Sequence, residues 1–164
     1  MEWFALYVKS RHEFFTNGEL QKKGIQTFLP AVKKMSQWSD RKKLIDFPLF
    51  PGYLFFRVLR DNNIFFTVLN TKGAVKIISG EEGHPIPVPV AEIDSLKLLI
   101  ESGQEIDIYP NLKEGLRVRI AKGPLTGAEG ILGKKEEQYM FLVNVELLGR
   151  SIGVTIHADC LESI

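Results

Sequence analysis

The chain is poor in the residues that build covalent or metal-held frameworks. Its 164 residues include one cysteine, Cys160, so no disulfide can close within the chain and a cysteine-rich metal site is excluded. The plain reading of Cys160 is a small buried hydrophobe near a strand end. The three histidines, His12, His84 and His157, lie far apart, and none stands at ligand spacing with acidic or sulfur partners. Gly123-Pro124-Leu125-Thr126-Gly127 is followed by no Gly-Lys-Ser/Thr, so it is not a phosphate loop. No catalytic group, cofactor or metal is expected, and the chain does not read as an enzyme. Long apolar runs are also missing: Leu49 to Phe56 is too short to span a bilayer and contains Pro51. Strand-like sequence begins at Trp3, where a signal peptide would need a basic start and an apolar core. A cytoplasmic protein without membrane contact is the expectation. The net charge is only +1, but residues 1–101 hold 14 Lys or Arg against 11 Asp or Glu, and residues 102–164 hold 7 against 9. The first part is therefore better suited to a polyanion.

The most informative stretch is Phe47 to Val58, FPLFPGYLFFRV. Pro48 and Pro51 cannot donate ladder hydrogen bonds, which predicts an edge strand or bulged lead-in followed by a central strand from Tyr53. Alternation puts Tyr53, Phe55 and Arg57 on one face and Leu54, Phe56 and Val58 on the other. A strand with large apolar groups on both faces is covered on both sides or shows one of them to a partner.

Trp3 to Val8 reads as a strand, and Glu13 to Lys23 as a helix packed through Phe14, Phe15 and Leu20, with Gly24 at its C-terminal stop. Ile25 to Val32 is extended and broken by Pro30. Lys33 to Asp46 carries Lys33, Lys34, Arg41, Lys42 and Lys43 around Trp38, either a solvated hairpin tip or loop or a phosphate-contacting arm. Asp61 is the expected N-cap of a helix through Leu69, and Ala74 to Ile78 a strand. Ser79 to Pro89 reads as a loop and Val90 to Ser102 as a helix with a wide apolar face. Gln104 to Leu112 has no clear period and contains Pro110, which suggests a linker between tethered modules. From there strands are expected at 116–120, 127–132, 139–147 and 151–156, a short fifth at 159–161, and a turn at Glu136-Glu137. Such spacing suggests a compact barrel with Val118, Ile120, Ile131, Val143, Val145, Ile152, Val154 and Ile156 inside.

Three segments together resemble the NusG family of transcription elongation factors. They are the opening Trp3-Phe4-Ala5-Leu6-Tyr7-Val8, the central FPGYLFF, and Gly115-Leu116-Arg117-Val118-Arg119-Ile120 leading into Gly123-Pro124-Leu125-Thr126-Gly127 and Gly130. The last, preceded by Glu114, is similar to the KOW motif, with Gly115, Gly123, Gly127 and Gly130 as its glycines. The resemblance implies an α+β fold. An N-terminal domain over 1–103 would have an antiparallel sheet with three helices, a linker would cover 104–112, and an SH3-like KOW barrel 113–164.

By the same resemblance, Trp3, Tyr7, Phe50, Tyr53, Phe55, Ile93 and Leu96 are the expected contacts to the clamp helices of the largest RNA polymerase subunit. Arg11, His12, Lys42, Lys43, Thr71 and Lys72 are the expected contacts to non-template DNA or nascent RNA. Thr71-Lys72-Gly73 matches the family's Thr-Arg-Gly, with Lys in place of Arg. The KOW barrel would offer a surface to Rho or to a small-subunit ribosomal protein. Lys122, Leu125 and Phe141 are candidates there, although a turn or core position is the plainer reading of each. Tyr7-Val8-Lys9 and the central strand look like the specialised, operon-specific paralogues such as RfaH. A general housekeeping factor, or a ribosome- or RNA-binding KOW module, stays open. A monomer is expected.

Overall fold

The computed structural model describes residues 1–38, 41–110, 115–135 and 138–164. The expected turn at Glu136-Glu137, the linker's end at Asn111-Leu112, and Lys113-Glu114 at the start of the KOW segment lie outside the described residues. The chain divides into two compact units, Met1–Val88 and Pro89–Ile164.

The first unit holds a five-stranded antiparallel sheet. Strand β1 (Glu2–Val8) pairs with β5 (Tyr53–Val58), β6 (Ala74–Ile77) and the two-residue β7 (Pro87–Val88), and β2 (Gln26–Phe28) completes the far side of β5. A pair of antiparallel strands, β3 (Ala31–Trp38) and β4 (Arg41–Pro48), forms its own sheet where a loop was an alternative. The expected loop 79–89 is not wholly irregular, because β7 lies beside Trp3 and Phe4.

Alternation along β1 and β5 decides the core. Phe4, Leu6 and Val8 join Leu54, Phe56 and Val58 on one face, buried with Leu20 of α1 (Glu13–Lys22) and with Phe65 and Val68 of α2 (Asn62–Leu69). Helix α2 starts as expected: the Asp61 carboxylate accepts the Asn63 N–H at 2.7 Å. Helix α1 corrects the sequence reading, since Phe14 and Phe15 are 46% and 44% exposed while Glu13, Thr16 and Leu20 are buried. These three lie at i, i+3 and i+7, one helix face, and only one of them is apolar.

The second unit begins with α3 (Val90–Glu101), which packs on β10 (Glu129–Lys135) and β11 (Gln138–Val145). Its antiparallel sheet has six strands in the order β13-β9-β10-β11-β12-β8, with β8 at Asp107–Pro110, β9 at Leu116–Ile120, β12 at Arg150–Thr155 and β13 at Leu161–Ser163. Part of the expected linker 104–112 is a strand instead: Asp107, Ile108, Tyr109 and Pro110 pair with Gly153, Ile152, Ser151 and Arg150 of β12. As an edge strand, β8 tolerates its proline. The expected first domain ran to 103, whereas the compact units part after Val88, so α3 groups with the second. Val118, Ile120, Val143, Val145, Ile152 and Val154 are buried, while Ile131 and Ile156 are only partly so. Met140, Phe141 and Leu142 are buried as well, because β11 is covered on both faces and alternation no longer separates inside from outside.

Candidate functional site

The turn before β5 builds the first part of the site. Pro51 and Gly52 are its centre, closed by the Tyr53 N–H donating to the Phe50 carbonyl at 3.0 Å. Gly52 has φ +89, the left-handed value that a type II turn requires after proline. A side chain there would also meet the Tyr7 ring at 3.1 Å. The Gly52 N–H donates to the buried Glu13 carboxylate at 2.9 Å, and its carbonyl accepts the Val8 N–H at 2.8 Å. Tyr7 and Tyr53 stand directly opposite on β1 and β5, with ring centroids 5.3 Å apart. Tyr7 is 36% exposed and Tyr53 half-buried.

The other aromatic candidates share that sheet face but are not open. Trp3, Phe50 and Phe55 are 0–3% exposed. Phe28, which sequence reasoning passed over, connects them: its ring stacks on Phe55 at 6.1 Å and meets Trp3 edge-on at 6.5 Å, and Phe50 meets Phe55 edge-on at 6.3 Å. Ile93 and Leu96 are fully buried on α3. Five of the seven expected polymerase contacts are therefore interior, and the accessible part of the set is Tyr7 with Tyr53.

A basic and aromatic cluster forms where α1 meets the turn after α2. The exposed Phe15 ring receives the edge of His12 at 6.2 Å, and the Lys72 ammonium lies 5.6 Å from its centroid. Arg11 is exposed in a left-handed backbone conformation, φ 64, and the His12 Nδ1 is 2.9 Å from the Ser10 carbonyl. The buried Thr16 hydroxyl donates to the Lys72 carbonyl at 3.0 Å and so fixes the lysine against α1. Thr71 corrects the sequence reading. It is buried, donates to the Thr67 carbonyl at 3.0 Å and accepts from the Lys23 ammonium at 2.9 Å, which makes it a helix-end group without access to a ligand. Phe15 was missed as a site residue because its apolar character suggested packing. Lys42 and Lys43 are exposed on β4 in the separate two-stranded sheet, on opposite faces of the ribbon.

In the second unit, Gly115, Gly123 and Gly127 have φ of 154°, 92° and 95°. Gly130 is required by close approach, since a Cβ would run into the Leu142 carbonyl oxygen. Lys122 is exposed, but Leu125 and Phe141 are buried and so are removed from any partner surface. Glu92 of α3 accepts the Glu146 N–H at 3.2 Å. Burial is the main cause that raises its carboxyl to about 7, with the Glu146 charge adding and the Glu146 N–H opposing. Beside it, Ser95 binds both backbone groups of Glu129, donating to the carbonyl at 3.3 Å and accepting from the N–H at 3.1 Å.

Among the described residues, no three His, Cys, Asp or Glu side chains are placed to hold a metal, and no helix is long and apolar enough to cross a membrane. An antiparallel sheet with a half-open aromatic pair beside a basic, aromatic helix end suits binding of macromolecules. Residues 1–97 match the family model described as transcription termination factor nusG, and the chain belongs to that family. At family level it is a transcription termination/antitermination factor. It is 27% identical over 139 residues to the transcription termination/antitermination protein NusG of Streptococcus pyogenes, covering 78% of this chain and 77% of that one. The protein of the same description from Borreliella burgdorferi is 26% identical over 144 residues, covering 82% and 78%, and that of Halalkalibacterium halodurans is 20% identical, covering 99% and 98%. A solved structure described as domain interaction in Thermotoga maritima NusG aligns with a TM-score of 0.55 at 21% identity, covering 99% of this chain and 97% of that one, a likeness of fold.

Proposed function

We propose that the chain is a cytoplasmic elongation factor that binds the clamp helices of the largest RNA polymerase subunit beside the transcription bubble and raises processivity. The observation that carries this reading is the half-open Tyr7–Tyr53 pair at the end of an otherwise closed aromatic face. Two stiff aromatic groups fixed by a turn are suited to anchor a protein contact, each costing ~2 kcal/mol or more on truncation. The cluster of Arg11, His12, Phe15 and Lys72 faces the nucleic acid. Phe15 supplies a stacking surface and Lys72 and Arg11 supply charge, which suits a single strand better than a duplex. No catalytic step or cofactor is involved: contacts on both sides of the cleft favour the closed clamp by their difference in affinity.

The second unit is read as the SH3-like KOW barrel, with Gly115, Gly123, Gly127 and Gly130 in its turns and close approaches, open to Rho or a ribosomal protein. The operon-specific form is preferred over the housekeeping one because of Tyr7-Val8-Lys9 and the central strand. Chromatin immunoprecipitation is then expected to place the factor on few operons, and occupancy across all transcription units would make it housekeeping. The polymerase contact is tested by the double variant Tyr7→Ala with Tyr53→Ala, which should stay folded and no longer copurify with core RNA polymerase. Unchanged copurification would refute the contact, and copurification with ribosomes instead would favour the RNA-binding alternative.

A further inference from the structure

Glu13 has no part in either surface just described, yet it sits between them. It opens α1, and its carboxylate is buried where a solvated first-turn acid would be expected. We propose that Glu13 is a positioning residue: by holding the Gly52 N–H it sets the Tyr7–Tyr53 pair and ties that pair to the Phe15–Lys72 cluster.

The geometry runs through short, directional contacts. The Glu13 Oε1 accepts the Gly52 N–H at 2.9 Å in a buried position. Gly52 in turn borders the Tyr7 ring and accepts the Val8 N–H, while the next residue, Tyr53, faces Tyr7 across the sheet. Gly52 lies just beyond the β1–β5 ladder, which ends at the Tyr7–Tyr53 pair, so its buried N–H has no strand partner and loss of the Glu13 carboxylate would strand it. The same first turn of α1 carries His12 and Phe15, and one residue on, Thr16 holds the Lys72 carbonyl. Both surfaces thus hang on four consecutive helix positions, 13 to 16, together with the preceding His12. A hydrophobic anchor would allow α1 to slide or rotate, whereas the directional hydrogen bonds of Glu13 and Thr16 fix its register. This explains how α1 keeps two phenylalanines exposed and still holds its place.

The proposal rests on reading Tyr7–Tyr53 as a protein-contacting pair only for its binding consequence, so the test has two readouts in the full chain. By NMR, Glu13→Ala should move the Gly52 amide proton upfield and weaken the ring-to-ring contact between Tyr7 and Tyr53, while Glu13→Gln, which keeps an acceptor oxygen, should restore both. With core RNA polymerase as probe, Glu13→Ala should bind about tenfold more weakly, the size of one charged hydrogen bond, and Glu13→Gln should recover most of that. If Glu13→Ala does not fold, Glu13→Asp takes its place: one methylene shorter, it should lose the Gly52 contact in a folded chain. A folded Ala or Asp variant that keeps the tyrosine contact with an unbonded Gly52 amide would overturn the proposal. Normal NMR changes with no wild-type polymerase binding would refute the polymerase reading and leave Glu13 as the residue that positions the pair.

Discussion

Helices α1 and α3 are of similar length but are anchored in opposite ways. Helix α3 buries Ile93, Leu96 and Leu99 against its sheet, with a carboxyl and a serine bonded to backbone at the edge of that seat. Helix α1 turns Phe14 and Phe15 outward and is held by Glu13 on Gly52, Thr16 on Lys72, and Leu20 in the core. Apolar burial stabilises without fixing direction; hydrogen bonds contribute less and fix geometry. The difference suggests that α3 serves stability and α1 serves presentation of a surface.

Truncation should separate the two most sharply. Leu99→Ala should cost about 2–5 kcal/mol, read by urea unfolding of the second unit, because a fully buried leucine leaves a cavity. Phe15→Ala should change stability by less than about 0.5 kcal/mol, since the side chain is 44% exposed and lies outside the core cluster. A Phe15→Ala variant as destabilised as Leu99→Ala would erase the distinction.

Ligand binding should give the reverse order. Phe15→Ala is expected to weaken binding to single-stranded DNA by about 1–3 kcal/mol, the worth of one stacked base, whereas Leu99→Ala should not change it in the folded chain. Equal binding by wild type and Phe15→Ala would take the ring out of the nucleic-acid surface.

A pH scan sharpens the comparison further. The Glu92 carboxyl sits near 7 in the folded chain against an ordinary 4.5, so the folded state holds the proton more tightly. Its contribution is present below the ordinary value of 4.5 and is lost as pH rises through about 7, which weakens the seat of α3 across that interval. Glu146, Glu129 and Arg117 line the same small cavity and set the local field. Discounted for partial exposure, the change should be about 1 kcal/mol, seen as faster amide exchange in α3 and abolished by Glu92→Gln. Exchange in α3 that slows with pH, after correction for the intrinsic rate, would reverse the sign. The smallest effect belongs to Lys72→Ala, which should lower the salt slope of DNA binding by about 1 without changing sequence preference.

Much of the framework was legible because the signals are local. Asp61 announced α2 by its cap, and the alternation of Tyr53 to Val58 gave the two faces of β5. The anchoring of α1 was hidden, since its buried stripe of Glu13, Thr16 and Leu20 is mostly polar and a hydrophobic pattern selects Phe14 and Phe15 instead. Strand β8 was hidden because four residues ending in proline carry no period, and only the partner strand β12 makes them a strand. Thr71 looked available through its place in a motif, but its two hydrogen bonds link groups from α1 and α2 and depend on the fold. Phe28 gave no signal at all until its neighbours were in place.

The central claim is that the first unit presents two separate surfaces, one for protein and one for nucleic acid. A photo-crosslinking amino acid placed at position 53 or at position 15 tests it in an assembled transcription elongation complex. The account predicts a crosslink from position 53 to the largest polymerase subunit and from position 15 to DNA or RNA. The same product from both positions, or none from position 53 while the factor remains bound, would contradict it.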